Sequence, residues 1–316
     1  SNKETSLLIQ LLSNLKMNKK FPEESAFVFA SSKGEIDKFE MYLEQNRKLP
    51  EEFGITDTMN KVKNIWGFQN DGVSISAACA SSTMALIYAC ELISENKIDS
   101  AVVLTGDIIS PFIFSGFASL MALDSNPAKP FDANRKGLSL GEGGAYILLM
   151  QESRAKKDNY NILGRVLGFG SSDDANHATG PSRDGYGLKL AIEGAFKNAN
   201  LNSSGIKAIC AHGTGTVYND SMELKAFKSV FKSPVPVYSI KGGTGHMLGA
   251  SGLVEIIFAL HSSKNMFIPP NVNVTSVDSE ALGWVSIEGR EIEKGPVLST
   301  NSGFGGINTA VIIENN

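Results

Sequence analysis

Cysteine and histidine are scarce in this chain, with 3 cysteines and 4 histidines among 316 residues. Cys79, Cys90 and Cys210 are odd in number and form no CxxC pair. That argues against a disulfide framework and against a zinc site, so no metal is expected and a reducing, cytoplasmic setting is. Positive charge is also short: 29 Lys and Arg stand against 33 Asp and Glu, a formal net charge of -4. The basic excess that nucleic-acid binding calls for is missing. No apolar run approaches bilayer length. The stretch SLLIQLLSNLK near the start has neither the basic front nor the cleavage site of a secretory leader. Neither nucleic acid nor membrane is an expected partner.

What remains is a composition able to bury a large core, 42% hydrophobic and 20% charged. Short apolar strands alternate with helices. Strands are predicted at 73–76, 101–106, 145–150, 162–170, 206–213, 235–240, 296–300 and 308–314, and helices at 83–95, 187–200, 220–231 and 252–264. This alternation implies a mostly parallel sheet covered on both faces, an α/β fold.

The pattern occurs twice. VSISAACASSTMALIYA and VPVYSIKGGTGHMLGASGLVEIIFAL each read as strand, small-residue loop and helix. GEGGAYILLM and GFGGINTAVII each place G-x-G-G before an apolar strand. A duplicated α/β unit follows, joined through the polar connector QESRAKKDNYN at 151–161. Neither Gly-rich stretch has G-x-G-x-x-G before a helix, so nucleotide binding is rejected.

Chemistry concentrates at few residues. Cys79 lies where a strand gives way to a helix, among Ala77, Ala78, Ala80, Ser81 and Ser82. Backbone N–H groups and the helix dipole there favour a thiolate. An inert buried cysteine would also fit this position, as it fits Cys90 in mid-helix. His212 and His246 fall in loops rich in Gly and Thr, AHGTGT and KGGTGHMLGASG, where glycine lets a ligand approach the backbone. His261, on a helix, reads as a residue without a chemical role.

Five collinear motifs resemble the β-ketoacyl-acyl-carrier-protein synthases, the condensing enzymes of fatty acid and polyketide synthesis. They are C79-A-S-S; H212-G-T-G-T followed by Asp220 and Glu223; K241-G-G-T-G-H246-M-L-G-A-S-G followed by Glu255; KPFDANRKGLSLGEGGAYILL; and GFGGIN. The resemblance implies a thiolase-like fold, with duplicated α-β-α-β-α layers and mixed five-stranded sheets. Residues 1–153 would form the nucleophile half and 160–316 the half with both histidines. It implies Cys79, His212 and His246 as catalytic, supported by Lys241 and Glu255. Cys79 and Phe304 would form the oxyanion hole, with Phe304 gating the acyl pocket. Thr214 and Thr216 would bind the phosphopantetheine arm. No cofactor is implied beyond that arm on the acyl carrier protein, and the chain would pair with itself or with a related ketosynthase subunit. His177 sits where the family often has a histidine and is expected to have a structural or entrance role rather than a catalytic one. Arg135, Lys136, Lys61 and Lys63 are candidates for a basic patch facing the carrier protein, with solvated surface as the simpler reading of each.

The sequence departs from the family in three places. The family opens with a strand and a T-G-x-G turn that are not seen ahead of FVFASSKGEIDKF, so the first half is expected to be short of its opening strand. The close reads T-N-S-G-F-G-G-I-N where the family often has N-S-F-G-F-G-G-T-N, which alters the pocket lining at Ser302 and Ile307. Asp107 begins DIISPFIFSGF where the fatty acid enzymes carry Gly-Gly-x-Glu, a difference that resembles the branch serving aryl-polyene-type pigments. Two alternatives remain: a catalytically weak chain-length partner, which usually lacks the nucleophile, and a coenzyme A-dependent thiolase, which would need a second cysteine near Gly303–Gly306.

Overall fold

The structure, a computed structural model, describes residues 5–16, 21–50 and 53–316. It divides into two compact units. One holds the chain up to Phe117 with Gly141–Asn161 and Met247–Leu253; the other holds Ala118–Leu140, Ile162–His246 and Val254–Asn316.

The first unit is built on four strands: β1 (Ala26–Ala30), β2 (Gly72–Ile75), β3 (Ser100–Asp107) and β4 (Gly143–Met150). They lie in the order β2-β1-β3-β4, with β1 parallel to β2 and β3, and β4 antiparallel to β3. Helices α1 (Leu7–Leu15), α2 (Ile36–Glu44), α3 (Ile55–Trp66), α4 (Ser81–Ser94), α5 (Pro111–Ser119) and α6 (Glu152–Lys157) accompany them. Strand β3 is buried along its whole length, so it reads as an unbroken apolar run rather than an alternation. Phe27, Phe29, Leu86, Leu104, Leu8 and Leu12 are fully buried. The Trp66 indole N–H donates to the carbonyl of Leu12 (3.1 Å), which ties α3 to α1.

The second unit contains β5 (Gly164–Asp173), β6 (Ala208–Cys210), β7 (Val237–Tyr238), a small ribbon of β8 (Phe267–Ile268) and β9 (Arg290–Glu291), then β10 (Val297–Ser302) and β11 (Ile307–Asn315). Its main sheet runs β5-β11-β10-β6-β7. Helices α7 (Tyr186–Ala199), α8 (Val217–Val230), α9 (Lys241–Thr244) and α10 (Ser251–Asn265) follow the strands. Leu188, Ile192, Phe227, Trp284, Leu298 and Ile312 share one core.

The duplication read from the sequence is present in the pairing. In each unit a central strand is parallel to two neighbours, β2-β1-β3 and β7-β6-β10, and a final antiparallel strand, β4 or β11, follows the G-x-G-G turn. The second sheet adds β5 beside β11, whereas among the described residues the first sheet has four strands. The strands expected at 206–213 and 235–240 are shorter in the structure, limited to β6 and β7, because the chain past them turns into loops. The periodicity reading passed over β1, α1, α2, α3 and α5. Three of those helices have only 9 residues, and helices so short depend on packing rather than on propensity.

Helix α7 lies close on β5 because glycine permits it. A Cβ on Gly170 would sit 2.2 Å from the Ala191 carbonyl oxygen and 2.6 Å from the Ala195 nitrogen. Gly170→Ala is expected to lower stability by about 1–3 kcal/mol through overpacking, read from urea midpoints. No helix among the described residues is long and apolar enough to cross a membrane.

Candidate active site

In the first unit, β2 runs out into a tight turn that carries Cys79 just ahead of α4. Ala78 adopts φ +48°, a conformation costly for a residue with a side chain. The turn is over-determined: the Ser81 hydroxyl donates to the Ala78 carbonyl (2.6 Å) and accepts from the Ala77 N–H (2.8 Å). The Ala80 and Ser81 amides close onto the Ala77 and Ala78 carbonyls. The first-turn amides that the sequence reading offered to the sulfur are thus partly used by the turn itself. Cys79 is buried at 6% exposure.

Asp107, which the sequence marks only as a departure, ends β3 fully buried. It accepts from the Ser31 hydroxyl (2.8 Å), the Ser32 amide and the Ser32 hydroxyl. Burial pushes its pKa up to about 6. The native state therefore holds a proton that the unfolded chain has released, so this group stabilises fully below about pH 4 and loses that contribution as pH rises through 6. The decline in wild-type stability between pH 4 and 6 should be reduced in Asp107→Asn, measured by denaturant titration at each pH.

The second unit assembles the other residues. Parallel strands β6, β7 and β10 end at one edge and release three loops, carrying His212 after β6, Lys241 and His246 after β7, and Phe304 after β10. Short loops after parallel strands are the usual place for chemistry in such sheets. The imidazoles of His212 and His246 meet edge to face, with centroids 5.2 Å apart. Both are fully buried, and burial together with the Lys241 cation holds each well below the ordinary imidazole range. At neutral pH each is therefore an uncharged ring with one N–H to donate.

Lys241 is 1% exposed. Its ammonium has three partners for three hydrogens: the His212 carbonyl (2.6 Å), His212 Nδ1 (3.2 Å) and the Glu255 carboxylate. The Asn301 amide lies 3.0 Å from His212 Nδ1 and donates to Glu255 Oε2 (2.9 Å). The His212 loop is held by carboxylates. Glu223 accepts from the His212 and Gly213 amides, both at 2.7 Å, and burial pushes it up to about 8. Asp220 accepts from the amides of Thr214 (3.1 Å), Gly215 (3.2 Å) and Phe131 (2.8 Å). Gly213 at φ +36° passes close to Ser239, whose hydroxyl donates to the Gly213 carbonyl (2.7 Å). The His246 amide donates to the Ser139 carbonyl (2.7 Å).

The Thr214 and Thr216 hydroxyls bond each other at 2.9 Å, which leaves one O–H free to turn to another acceptor. Phe304 is half-buried on the β10–β11 turn, where the Gly303 amide donates to Ile307 (2.7 Å). Ser302 donates to Asn308 (2.8 Å). Exposed His177 uses Nδ1 to accept from the Thr179 and Gly180 amides, a loop-shaping role, and His261 is exposed on α10. Cys90 is pushed up to about 12 by burial, and Cys210 is buried in β6.

One expectation is corrected. Arg135 is not surface, being 6% exposed and therefore unable to face a carrier protein. It pairs with Asp278 (2.5 Å) and Asp220 (3.5 Å) and donates to Ser221 (3.1 Å). Composition could not tell this arginine from the exposed Lys136 beside it, since only the acids brought from distant positions bury it. Lys61 pairs with Glu35 (2.5 Å) and Lys63 is half-buried. Asn301 and Ser239 were not singled out from the sequence. Asn301 stood inside a quoted motif, but nothing local marks a polar residue in a strand as a partner of a distant histidine.

A duplicated α/β pair of mixed sheets with its loops at parallel strand ends is the thiolase-like fold. Two family models match, "Beta-ketoacyl synthase, N-terminal domain" over residues 23–155 and "Beta-ketoacyl synthase, C-terminal domain" over 163–275. The chain belongs to the β-ketoacyl synthase family. It is 30% identical over 260 residues to 3-oxoacyl-(acyl-carrier-protein) synthase 2 of Coxiella burnetii, covering 79% of this chain and 63% of that protein. It is 36% identical over 250 residues to the tetracenomycin polyketide synthase ketoacyl synthase alpha subunit of Streptomyces glaucescens, covering 76% of this chain and 59% of that one. Among solved structures, the ishigamide ketosynthase/chain length factor superposes with a TM-score of 0.89 at 25% identity, covering all of this chain and 84% of its own. The chain thus spans less than two thirds of the length of these curated relatives.

Proposed function

We propose that this chain is a decarboxylating condensing enzyme that works on acyl carrier proteins, its two halves acting as one thiolase-like unit. The Cys79 thiolate attacks an acyl thioester, the pantetheine thiol leaves, and the acyl group rests on sulfur. Malonyl carrier protein then loses CO2. The enolate oxygen that forms is met by N–H groups of His212 and His246. The enolate carbon attacks the Cys79 thioester and releases a β-ketoacyl product as the thiolate departs. An oxyanion at the former thioester carbonyl is received by the amides of Cys79 and Phe304, and the Thr214–Thr216 pair contacts the pantetheine arm.

The observation that carries this reading is the pair of buried, neutral imidazoles 5.2 Å apart beside a lysine that has no proton acceptor to offer them. Neutral N–H donors stabilise a developing enolate without giving up a proton to it. Chemistry of this kind calls on no metal or redox cofactor. The names of the relatives support an acyl carrier protein as the substrate carrier and a chain length factor as a pairing partner, with a homodimer as the other arrangement. Fatty acid, polyketide or polyene synthesis is the setting.

Intact-mass analysis after incubation with acyl carrier proteins bearing a panel of primers tests the reading. An acyl adduct lost in Cys79→Ala is expected. Absence of any adduct on the wild-type protein would favour a non-catalytic partner subunit instead.

A further inference from the structure

The amide of Asn301 is used on one side only. Asn301 is 1% exposed, and its Nδ2 reaches both His212 Nδ1 (3.0 Å) and Glu255 Oε2 (2.9 Å), while its Oδ1 is buried with no hydrogen-bond partner. The Glu255 carboxylate sets the orientation of the amide, since turning it over would press a carbonyl oxygen against a carboxylate. A buried acceptor without a partner is costly and needs a reason.

We infer that Asn301 is a positioning residue that fixes His212 as the tautomer with its hydrogen on Nε2. Two groups face Nδ1, the Lys241 ammonium at 3.2 Å and the Asn301 NH2 at 3.0 Å, and neither can accept a hydrogen. A hydrogen on Nδ1 would meet only donors, so it resides on Nε2, pointing away from this cluster. The same amide links the ring to Glu255, so that Lys241, Glu255, Asn301 and His212 close a four-membered circuit. This rests on the proposed function only in assigning the Nε2 hydrogen to the enolate oxygen; the tautomer is a property of the resting protein.

The test is a long-range proton–nitrogen correlation spectrum of 15N-labelled protein, with four imidazoles to resolve and His212 assigned by its loss in His212→Asn. The wild-type protein is expected to show His212 Nδ1 unprotonated. Asn301→Asp supplies an acceptor at Nδ1, so hydrogen should move to Nδ1, and malonyl decarboxylation should fall about 10²-fold while acyl loading persists. A wild-type Nδ1–H, or an Asn301→Asp protein with tautomer and decarboxylation both unchanged, overturns the inference. If the added carboxylate prevents folding, Asn301→Ala and Asn301→Ser decide: alanine removes the donor and serine returns one, so decarboxylation should drop in the first and recover in the second. Equal rates in the two overturn the inference. Should the wild-type protein neither load nor decarboxylate, the functional reading fails while the spectrum still decides the tautomer.

Discussion

His246→Ala is expected to load acyl groups on Cys79 at the wild-type rate yet decarboxylate malonyl carrier protein about 10²–10³-fold more slowly. The ring is buried and held neutral by burial and by Lys241, so what it offers a substrate is one N–H in a site sheltered from water. Such a donor matters most where negative charge develops, at the enolate oxygen, and little where a thiolate displaces a thiol. Intact mass reports loading, and release of labelled CO2 reports decarboxylation. Loss of both in a folded variant would sink the division of labour; retention of both would remove His246 from the mechanism.

Lys241→Met is expected to cost about 3–5 kcal/mol of stability, because it leaves the Glu255 carboxylate buried without its cation. Asn301 would remain as the donor to Glu255, which cannot replace a charge. The double variant Lys241→Met with Glu255→Leu should recover much of the loss, since an apolar pair in place of a buried ion pair is often neutral or better. Urea midpoints of the three proteins measure this. The single variant should also let the His212 pKa rise toward its ordinary range, because the Lys241 cation, which lowers it alongside burial and the neighbouring His246, is gone. A histidine titration followed by NMR reads that shift, and a single variant as stable as wild type would show that the pair is not what holds the loop.

Much of the site was legible in the sequence because its residues sit in short segments of unusual composition. Cys79 between a strand and a helix, His212 in H-G-T-G-T and His246 in G-G-T-G-H are each marked by small neighbours, and glycine at these loops answers real constraints such as φ +36° at Gly213 and φ +69° at Gly245. Asp220 and Glu223 were noticed only as part of a motif. Their work, holding five backbone amides of Phe131, His212, Gly213, Thr214 and Gly215, requires the loop to fold back on the helix that carries them. Arg135 misled because an arginine beside a lysine looks like surface until Asp278 and Asp220 arrive from elsewhere.

By itself the sequence determined the alternation of strands and helices, the duplicated order of strand, loop and helix, and which residues could carry chemistry. Local signals suffice for these: apolar runs, G-x-G-G turns, and reactive side chains set among small ones. Tertiary structure decided which of those side chains are buried, which imidazoles are neutral, and that Asn301 joins His212 to Glu255. Desolvation and hydrogen bonding depend on neighbours brought from far along the chain, and no local window of sequence contains them.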